Sequence, residues 1–129
     1  MTFYKAISKQ LKANATALGM KFYPVQAPQN AADPYCVFTL IDDNTAPVHN
    51  GGYDNGEALV QFEVYCKTLA TLDARVDGLK NHFIGQTIEA DTTVTLCYCN
   101  VQSEIDAFEN DEQMYNRSLD IRIRYILRS

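Results

Sequence analysis

Few residues in this 129-residue chain have the types and spacing that catalysis needs. It contains two histidines, His49 and His82, and four cysteines. No Ser-His-Asp or Cys-His arrangement has the spacing of a catalytic family, and GxGxxG, Walker, HExxH and paired CxxC motifs are absent from the sequence. Two isolated histidines give little material for general acid–base catalysis. The sequence therefore predicts a binding or assembly role, with no enzyme activity and no cofactor.

The cysteines were considered as metal ligands. Cys97 and Cys99 are two residues apart, which would place both sulfur atoms on one face of a strand. Zinc sites usually use a CxxC knuckle in a turn and gather four ligands. Here all four cysteines lie in apolar, strand-like stretches, and free cysteine is among the most buried residue types. We predict buried free thiols and no metal site.

Two charged stretches near the C-terminus are candidate binding surfaces. The first is an acidic segment within 102–116, with Glu104, Asp106, Glu109, Asp111 and Glu112. The second is an arginine face on the last predicted strand, with Arg122, Arg124 and Arg128. A solvated hairpin end and a charged, blunted sheet surface are the simpler interpretations. Our hypothesis is that the acidic segment of one subunit meets the arginine face of a neighbouring subunit.

A long loop is predicted over 42–56, because this segment is dense in turn-forming residues. Its carboxylates lack the ordered spacing of a calcium loop. Connections of this length in a compact domain are usually functional or mobile. We predict an arm that orders on contact with a partner, and an idle surface loop is the alternative. The candidate docking residues are Asp43, His49, Gly51, Gly52, Tyr53 and Asp54.

The elements that would position these residues are best defined in the middle of the chain. Alternate residues of 57–66 are apolar, which predicts a strand. Apolar residues then recur at three- and four-residue spacing over 69–83, which predicts an amphipathic helix with Thr68 as its N-cap. A first helix is predicted over 2–18, with Gly19 as its C-terminal cap. A strand that leads directly into such a helix predicts a sheet with a helix packed on one face.

Four further strands are predicted, over 20–25, 35–41, 93–101 and 119–127. The run 35–41 is apolar at nearly every position, as in a central strand that is covered on both faces. In the next strand, Val94, Leu96 and Tyr98 should lie on one face and Cys97, Cys99 and Val101 on the other. The last strand alternates most clearly, and its predicted core residues are Leu119, Ile121, Ile123, Tyr125 and Leu127.

Composition and charge limit the possible partners. The net charge is −5, which counts against a dedicated binder of nucleic acid or of an anionic membrane. Hydrophobic residues make up 47% of the chain and charged residues 21%, an ordinary globular balance. The first ten residues have the pattern of an amphipathic helix rather than a secretion leader, and no apolar run approaches the length of a membrane span. We expect a cytoplasmic place of synthesis.

The succession of four stretches resembles the bacteriophage tail completion, or tail terminator, family, which includes head-to-tail joining proteins. The stretches are YPVQAPQNAADPYCVF (23–38), the loop that holds His49 and Gly51-Gly52, ALVQFEVYCKTLATLDARVDGLK (58–80) and MYNRSLDIRIRYI (114–126). The resemblance covers nearly the whole chain. It departs from the family at Tyr65-Cys66, where relatives often carry a Trp or another bulky aromatic residue, and at Cys97 and Cys99.

The resemblance implies a subunit without catalytic activity that associates with itself into a ring, commonly a hexamer. Such rings cap the tail tube, stop its polymerisation and contact the head connector. The implied partners are the tail tube protein and the head connector or head completion protein, and DNA passes through the ring without specific binding. The implied location is the virion tail, after synthesis in the cytoplasm of a host bacterium.

We therefore predict a single α+β domain over 1–129, with a mixed, mostly antiparallel β-sheet and two α-helices packed against it. An alternative function is a small cytoplasmic ligand-binding or regulatory domain that acts as a dimer, and it predicts a concave apolar pocket. A third hypothesis is a metal-dependent enzyme that uses Asp42, Asp43, His49 and Asp54, and it predicts bound metal.

Overall fold

A computed structural model of the protein describes residues 2–47, 53–90, 93–109 and 113–128. The described elements are α1 (Thr2–Ala13), α2 (Ala15–Leu18), β1 (Lys21–Pro24), β2 (Tyr35–Pro47), β3 (Tyr53–Cys66), α3 (Leu69–Phe83), β4 (Ile88–Glu89), β5 (Val94–Glu109) and β6 (Met114–Arg128). The strands form one sheet in the order β1-β2-β3-β6-β5-β4. β1 is parallel to β2, and the other neighbouring pairs are antiparallel. Among the described residues, no helix is long and apolar enough to cross a membrane.

The predicted fold class, an α+β domain with two helices on a mostly antiparallel sheet, is wrong. The protein is mostly β, with a mixed six-stranded sheet that curls into a half-barrel and with three helices. The strands are much longer than their alternating apolar stretches, because cross-strand pairing overrides the weak strand propensity of polar residues. The first helix is also divided at Asn14, whose side chain donates to the Gln10 carbonyl oxygen at 2.8 Å.

The segment predicted as a long loop over 42–56 is largely a continuation of two strands. Residues up to Pro47 belong to β2, and residues from Tyr53 onward belong to β3. Their backbones pair in antiparallel register as far as Pro47 opposite Asp54. Residues 48–52 lie outside the described part of the chain. The loop prediction is wrong here because residues such as Asp42 and Asp43 have a low strand propensity of their own. They become part of a strand because their backbones pair with β3.

One face of the sheet carries the main core, and we call it the helix face because α1 and α3 pack on it. The strand predicted over 57–66 is confirmed, and its residues on this face are fully buried: Ala58, Val60, Phe62, Val64 and Cys66. The buried residues of β6 opposite them are Leu119, Ile121 and Ile123. The helices contribute Phe3, Ile7, Leu11, Leu72, Val76, Leu79 and Phe83 to the same cluster.

The predicted helix ends are confirmed. The Thr68 side chain accepts a hydrogen bond from the Thr71 amide at 3.3 Å, as an N-cap does. Gly19 has a φ of 75°, the left-handed conformation of a C-terminal cap, and its amide donates to the Ala15 carbonyl oxygen. The start of α3 and the end of α2 therefore lie where the capping residues in the sequence indicate.

The opposite face of the sheet, which we call the outer face, has a smaller apolar cluster at the start of β2. It contains Tyr35, Val37 and Met114, with Tyr23, Ala27, Ala31 and Tyr65 packed against it. The rings of Tyr35 and Tyr65 stack with their centroids 4.9 Å apart. Cys36 and Phe38 lie in the main core, so the predicted burial of this strand on both faces is confirmed for 35–38. Ala27 and Ala31, which pack against this outer-face cluster, belong to the connector 26–33.

A β-bulge in β5 reverses the predicted faces of the strand. The pairing with β6 passes from Leu96 opposite Tyr125 to Tyr98 opposite Arg124, so Cys97 is the additional residue. Leu96 and Cys99 are consequently both buried, whereas the Tyr98 side chain is 57% exposed and Cys97 is exposed. The predicted alternation, including a shared face for Cys97 and Cys99, is wrong beyond Leu96.

Tyr125 anchors α1 to the sheet by lying flat across Gly56. A Cβ atom at Gly56 would come 2.1 Å from Tyr125 Cζ, so only glycine leaves room for the ring. The other side of the ring stacks on Phe3 of α1, with the centroids 4.4 Å apart. The Tyr125 hydroxyl donates to the Asp43 carboxylate of β2. One side chain thereby joins β6, β3, β2 and α1.

Gly56→Ala should displace this ring and lower the free energy of unfolding by about 1–3 kcal/mol, the usual cost of overpacking a core. Urea denaturation followed by circular dichroism measures the change. The matched control is Gly78→Ala on α3, where a new Cβ has no neighbour within 4 Å. That control should raise the free energy of unfolding by about 0.5–1 kcal/mol, because alanine favours a helix over glycine. Equal effects of the two substitutions would contradict the role of Gly56.

A second contact between elements joins α1 to the end of α3. The side chains of Gln10 and His82 form a hydrogen bond, in which Gln10 Nε2 and His82 Nε2 lie 2.5 Å apart. Burial lowers the pKa of the His82 imidazole below its ordinary value of 6.5. In the unfolded chain the ring is exposed and keeps its ordinary pKa, so acidification protonates the unfolded state first.

The stability that His82 contributes should therefore be complete above pH 6.5 and should decrease as the pH falls below that value. His82→Gln keeps a hydrogen-bonding side chain that does not titrate in this range. Urea midpoints at pH 7.5 and pH 5.5 should differ less for the variant than for the parent protein. An identical pH dependence in both proteins would show that the ring is not destabilising when it is protonated.

Candidate subunit interface

The strand register places Glu104 and Asp106 of the acidic segment on the face of the sheet opposite to Arg122 and Arg124, whereas Glu109 pairs with Met114 of the outer-face cluster. Glu104 lies opposite the buried Leu119, so its side chain belongs to the helix face. Arg122 and Arg124 alternate with the buried isoleucines of β6 and belong to the outer face. The chain therefore has an acidic and a basic surface that point in different directions, and they do not meet within one subunit.

The arginine face keeps an excess of positive charge. Arg122 Nη1 and Arg124 Nε approach the same oxygen, Glu57 Oε1, at 3.6 Å and 3.9 Å. The Arg124 side chain is 68% exposed. Two guanidinium groups share one carboxylate at long distances, and such exposed pairs contribute little to stability. Arg128 lies in β6, and its side chain is outside the described part of the structure.

The acidic segment contacts a buried arginine that the sequence interpretation had missed. Arg117 of β6 has only 13% of its side chain exposed. Its Nε and Nη2 atoms donate to the Asp106 carboxylate at 2.5 Å and 3.3 Å, a bidentate geometry. Its Nη2 atom also lies 2.7 Å from Asp73 Oδ1 on α3. The hydrogen bond to Asp106 raises the pKa of the guanidinium, which stays charged.

Glu104 completes this network. Its Oε1 atom lies 2.5 Å from Lys80 Nζ of α3, and its Oε2 atom lies 3.6 Å from Arg117 Nε. The ion pairs thus fasten α3 to β5 and β6, and we call this group the Arg117 network. Glu104 and Asp106 already have cationic partners in their own chain, which leaves less of their charge for a neighbouring subunit. Asp111 and the side chain of Glu109 are outside the described residues.

Arg117 differs from Arg122 and Arg124 by one step in the alternation of β6. Residue 117 falls on the helix face, in line with the core residues Leu119 and Ile121. A cation at a core-facing position, with carboxylates on the neighbouring strand and helix, is the signal that could have identified the network from sequence. The register between β5 and β6 was needed to pair it with Asp106.

The residues predicted to dock a partner are only partly described. Asp43 lies in β2, where its carboxylate accepts the hydrogen bond from Tyr125, so it acts within the fold. The backbones of Tyr53 and Asp54 lie in β3. His49, Gly51 and Gly52 are outside the described residues, as are the side chains of Tyr53 and Asp54.

The buried thiols are protonated at neutral pH. Burial raises the pKa of Cys66 to about 11 and that of Cys99 to about 12, and it raises the pKa of Cys36 as well. A thiol that does not ionise is a poor nucleophile and a poor metal ligand. Over the part of the chain that the structure describes, no three His, Cys, Asp or Glu side chains are grouped as a metal site would require.

A cleft of about 600 Å³ lies beside the arginine face. Its lining includes Asn44, Asn55, Glu57, Arg124 and the exposed Cys97. Gly56, Tyr125 and Ile126 also line it, and more of its exposed lining is apolar than polar, as the alternative of a ligand-binding domain predicts.

Comparison with known proteins identifies the fold. No protein-family model and no curated protein matches this chain. The chain is similar in structure to one from the virion of a native gene transfer agent particle, with a TM-score of 0.61 and 19% sequence identity. The superposition covers 95% of this chain and 93% of the other, so the two share the fold over nearly their whole length. The two proteins thus share an arrangement of elements at low sequence identity.

Arg117→Ala should lower the free energy of unfolding by about 2 kcal/mol, since hydrogen bonds to charged groups contribute more than neutral ones and three carboxylates lose their shared cation. The matched control is Arg124→Ala, an exposed arginine on the same strand, which should change the value by less than about 0.5 kcal/mol. Urea denaturation measures both. Similar values for the two variants would contradict the structural role of Arg117.

Proposed function

We propose that this protein is a structural subunit of a phage-like particle, and that it forms a ring at the end of the tail tube. In this role the ring terminates the tube, contacts the head connector or head completion protein, and lets DNA pass without specific binding. The chain would act in the virion tail, after synthesis in the cytoplasm of a bacterial host. The observation that carries the proposal is the shared fold with a chain from a gene transfer agent virion over 95% of the sequence.

Several features of the chain support an assembly role. The described residues form long strands with charged side chains on both faces of the sheet. A ring built head to tail needs two different, complementary surfaces on each subunit. The arginine face and the acidic hairpin end lie on different parts of the chain, as such a contact requires. The net charge of −5 suits an opening through which DNA slides, because like charges discourage phosphate contacts.

The interface hypothesis is narrower than the sequence alone suggested. Glu104 and Asp106 belong to the Arg117 network, so we assign the acidic half of the contact to Glu109 and Asp111. Arg122 and Arg124 share a single carboxylate and supply the basic half together with Arg128. The alternative function, a small regulatory or ligand-binding domain that acts as a dimer, would use the cleft beside Arg124.

The mass in solution separates these functions. Light scattering after size exclusion, over a wide concentration range, should give about six times the 14.5 kDa mass of the chain. Negative-stain images of that species should show a central opening. A stable dimer would favour the regulatory domain. A monomer at every concentration would contradict a ring that closes without other proteins.

Arg122→Glu combined with Arg124→Glu should weaken the ring, because it places carboxylates on both sides of the proposed contact. Reversal of Glu109 and Asp111 to lysine in the same chain should restore part of the assembly. Since Arg122 and Arg124 contribute little to folding, circular dichroism should show an intact domain in each variant. Full assembly of the arginine variant would exclude this surface from the contact.

A further inference from the structure

The two borders of the sheet each combine a short strand with a longer neighbour that extends past it. β1 pairs only with residues 35–38 of β2, and β4 pairs only with Thr95 and Leu96 of β5. Within the described part of the chain, 39–47 of β2 and 97–109 of β5 therefore have a paired neighbour on one side alone. We call these segments the β2 free half and the β5 free half.

The two short strands have the features by which proteins protect sheet edges. β1 is four residues long and contains Lys21 and Pro24, and β4 has two residues. The free halves share bulges and acidic side chains with protected edges, but they are long, contain neither lysine nor arginine, and have proline only at the last position of the β2 free half. They also carry large exposed apolar side chains: Ile41, Tyr98, Ile105 and Phe108. Edges of this length are templates for another strand.

The positions and directions of the two free halves in the sheet allow them to pair between copies of the chain. Across the sheet, the β2 free half lies level with the beginning of β5, and the end of β5 lies level with β1 and the beginning of β2. The free halves thus occupy opposite borders of the sheet, and 98–103 of β5 lie level with 39–44 of β2, while 104–109 extend past the β2 free half. β2 and β5 also run in opposite directions, because three antiparallel pairings separate them. A second copy shifted along the strands would bring the two free halves together in antiparallel orientation.

We propose that the β5 free half of one copy adds as an antiparallel strand to the β2 free half of the next copy, which joins the sheets of neighbouring subunits head to tail. The inference rests on the proposed ring and identifies its backbone contact. Pairing of two different edges is heterologous, and it closes into a ring when the rotation between copies is right. The neighbouring copy would be shifted along the strand direction, as neighbouring strands are staggered in closed β-barrels.

The bulges and the ion pairs are compatible with this contact. Each free half contains a bulge, near Ile41 and near Gln102, and bulges increase the bend that a curved, closed sheet needs. The carboxylates of Glu104 and Asp106 would otherwise repel Asp42 and Asp43 of the neighbouring edge. Lys80 and Arg117 offset their charge within the same chain.

Cysteine cross-linking tests the pairing and its polarity. The parent for this experiment carries Cys97→Ser, since Cys97 is exposed while the other thiols are buried. Ile41→Cys and Ile105→Cys place one thiol in each free half, at positions that are 52% and 65% exposed. With a flexible bifunctional maleimide, the double variant should give a ladder of covalent multimers on a denaturing gel, and each single variant should stay monomeric. Covalent dimers from Ile105→Cys alone would instead indicate two-fold pairing of β5 with itself and would overturn the proposal.

A charge placed in each free half provides a second test. Ile105→Lys and Ile41→Lys introduce the residue that natural edge strands use against pairing. Each should raise the concentration for half-assembly by at least about tenfold, a modest change in association free energy. Ile84→Lys at the C-cap of α3, at a site that is 37% exposed, is the matched control and should assemble normally. A ring of normal mass from both edge variants, without a cross-linked ladder, would reject the edge contact and leave the ring function standing.

Discussion

The structure depends on the uninterrupted pairing of β3 with β6. This ladder joins residues 53–66 to residues 115–128 without a register shift, whereas the pairings of β2 with β3 and of β5 with β6 both contain bulges. Because side chains alternate between faces, one register decides every position on two strands at once. It places the core residues of both strands beneath the helices and leaves Arg122 and Arg124 outside. Both candidate surfaces follow from this constraint.

The ionic groups of the protein divide according to the same register. Arg117 faces the helices, where it is nearly buried and contacts carboxylates from β5 and α3. A buried cation without these partners would be costly, so the Arg117 network holds α3 and β5 in position. Arg124, seven residues later, faces solvent and has a loose contact with Glu57. Arginines of the same strand, β6, therefore have different roles: Arg117 stabilises the fold, and Arg124 remains available for a partner.

Much of the local structure could be predicted because it depends on neighbouring residues. Thr68 and Gly19 cap helices through their own backbone geometry, and the apolar periods of β3, α3 and β6 follow the faces that these elements bury. The bulge at Cys97 was not predictable from alternation, since an additional residue leaves no local mark and reverses the side chains that follow it, as far as the second bulge near Gln102. The ends of β2 and β5 were missed for a related reason, as their polar residues become strand only through their partners.

The sequence by itself determined α3, the caps at Thr68 and Gly19, the central strands, the core faces of β3 and β6, and the scarcity of catalytic groups. Tertiary structure alone decided that Arg117 pairs with Asp73, Glu104 and Asp106, that Tyr125 crosses Gly56 to reach Phe3, and that two long strand edges have a neighbour on one side alone among the described residues. These features join residues far apart in the chain. Periodicity reports which face a residue occupies, but only strand order and register report which residues share that face.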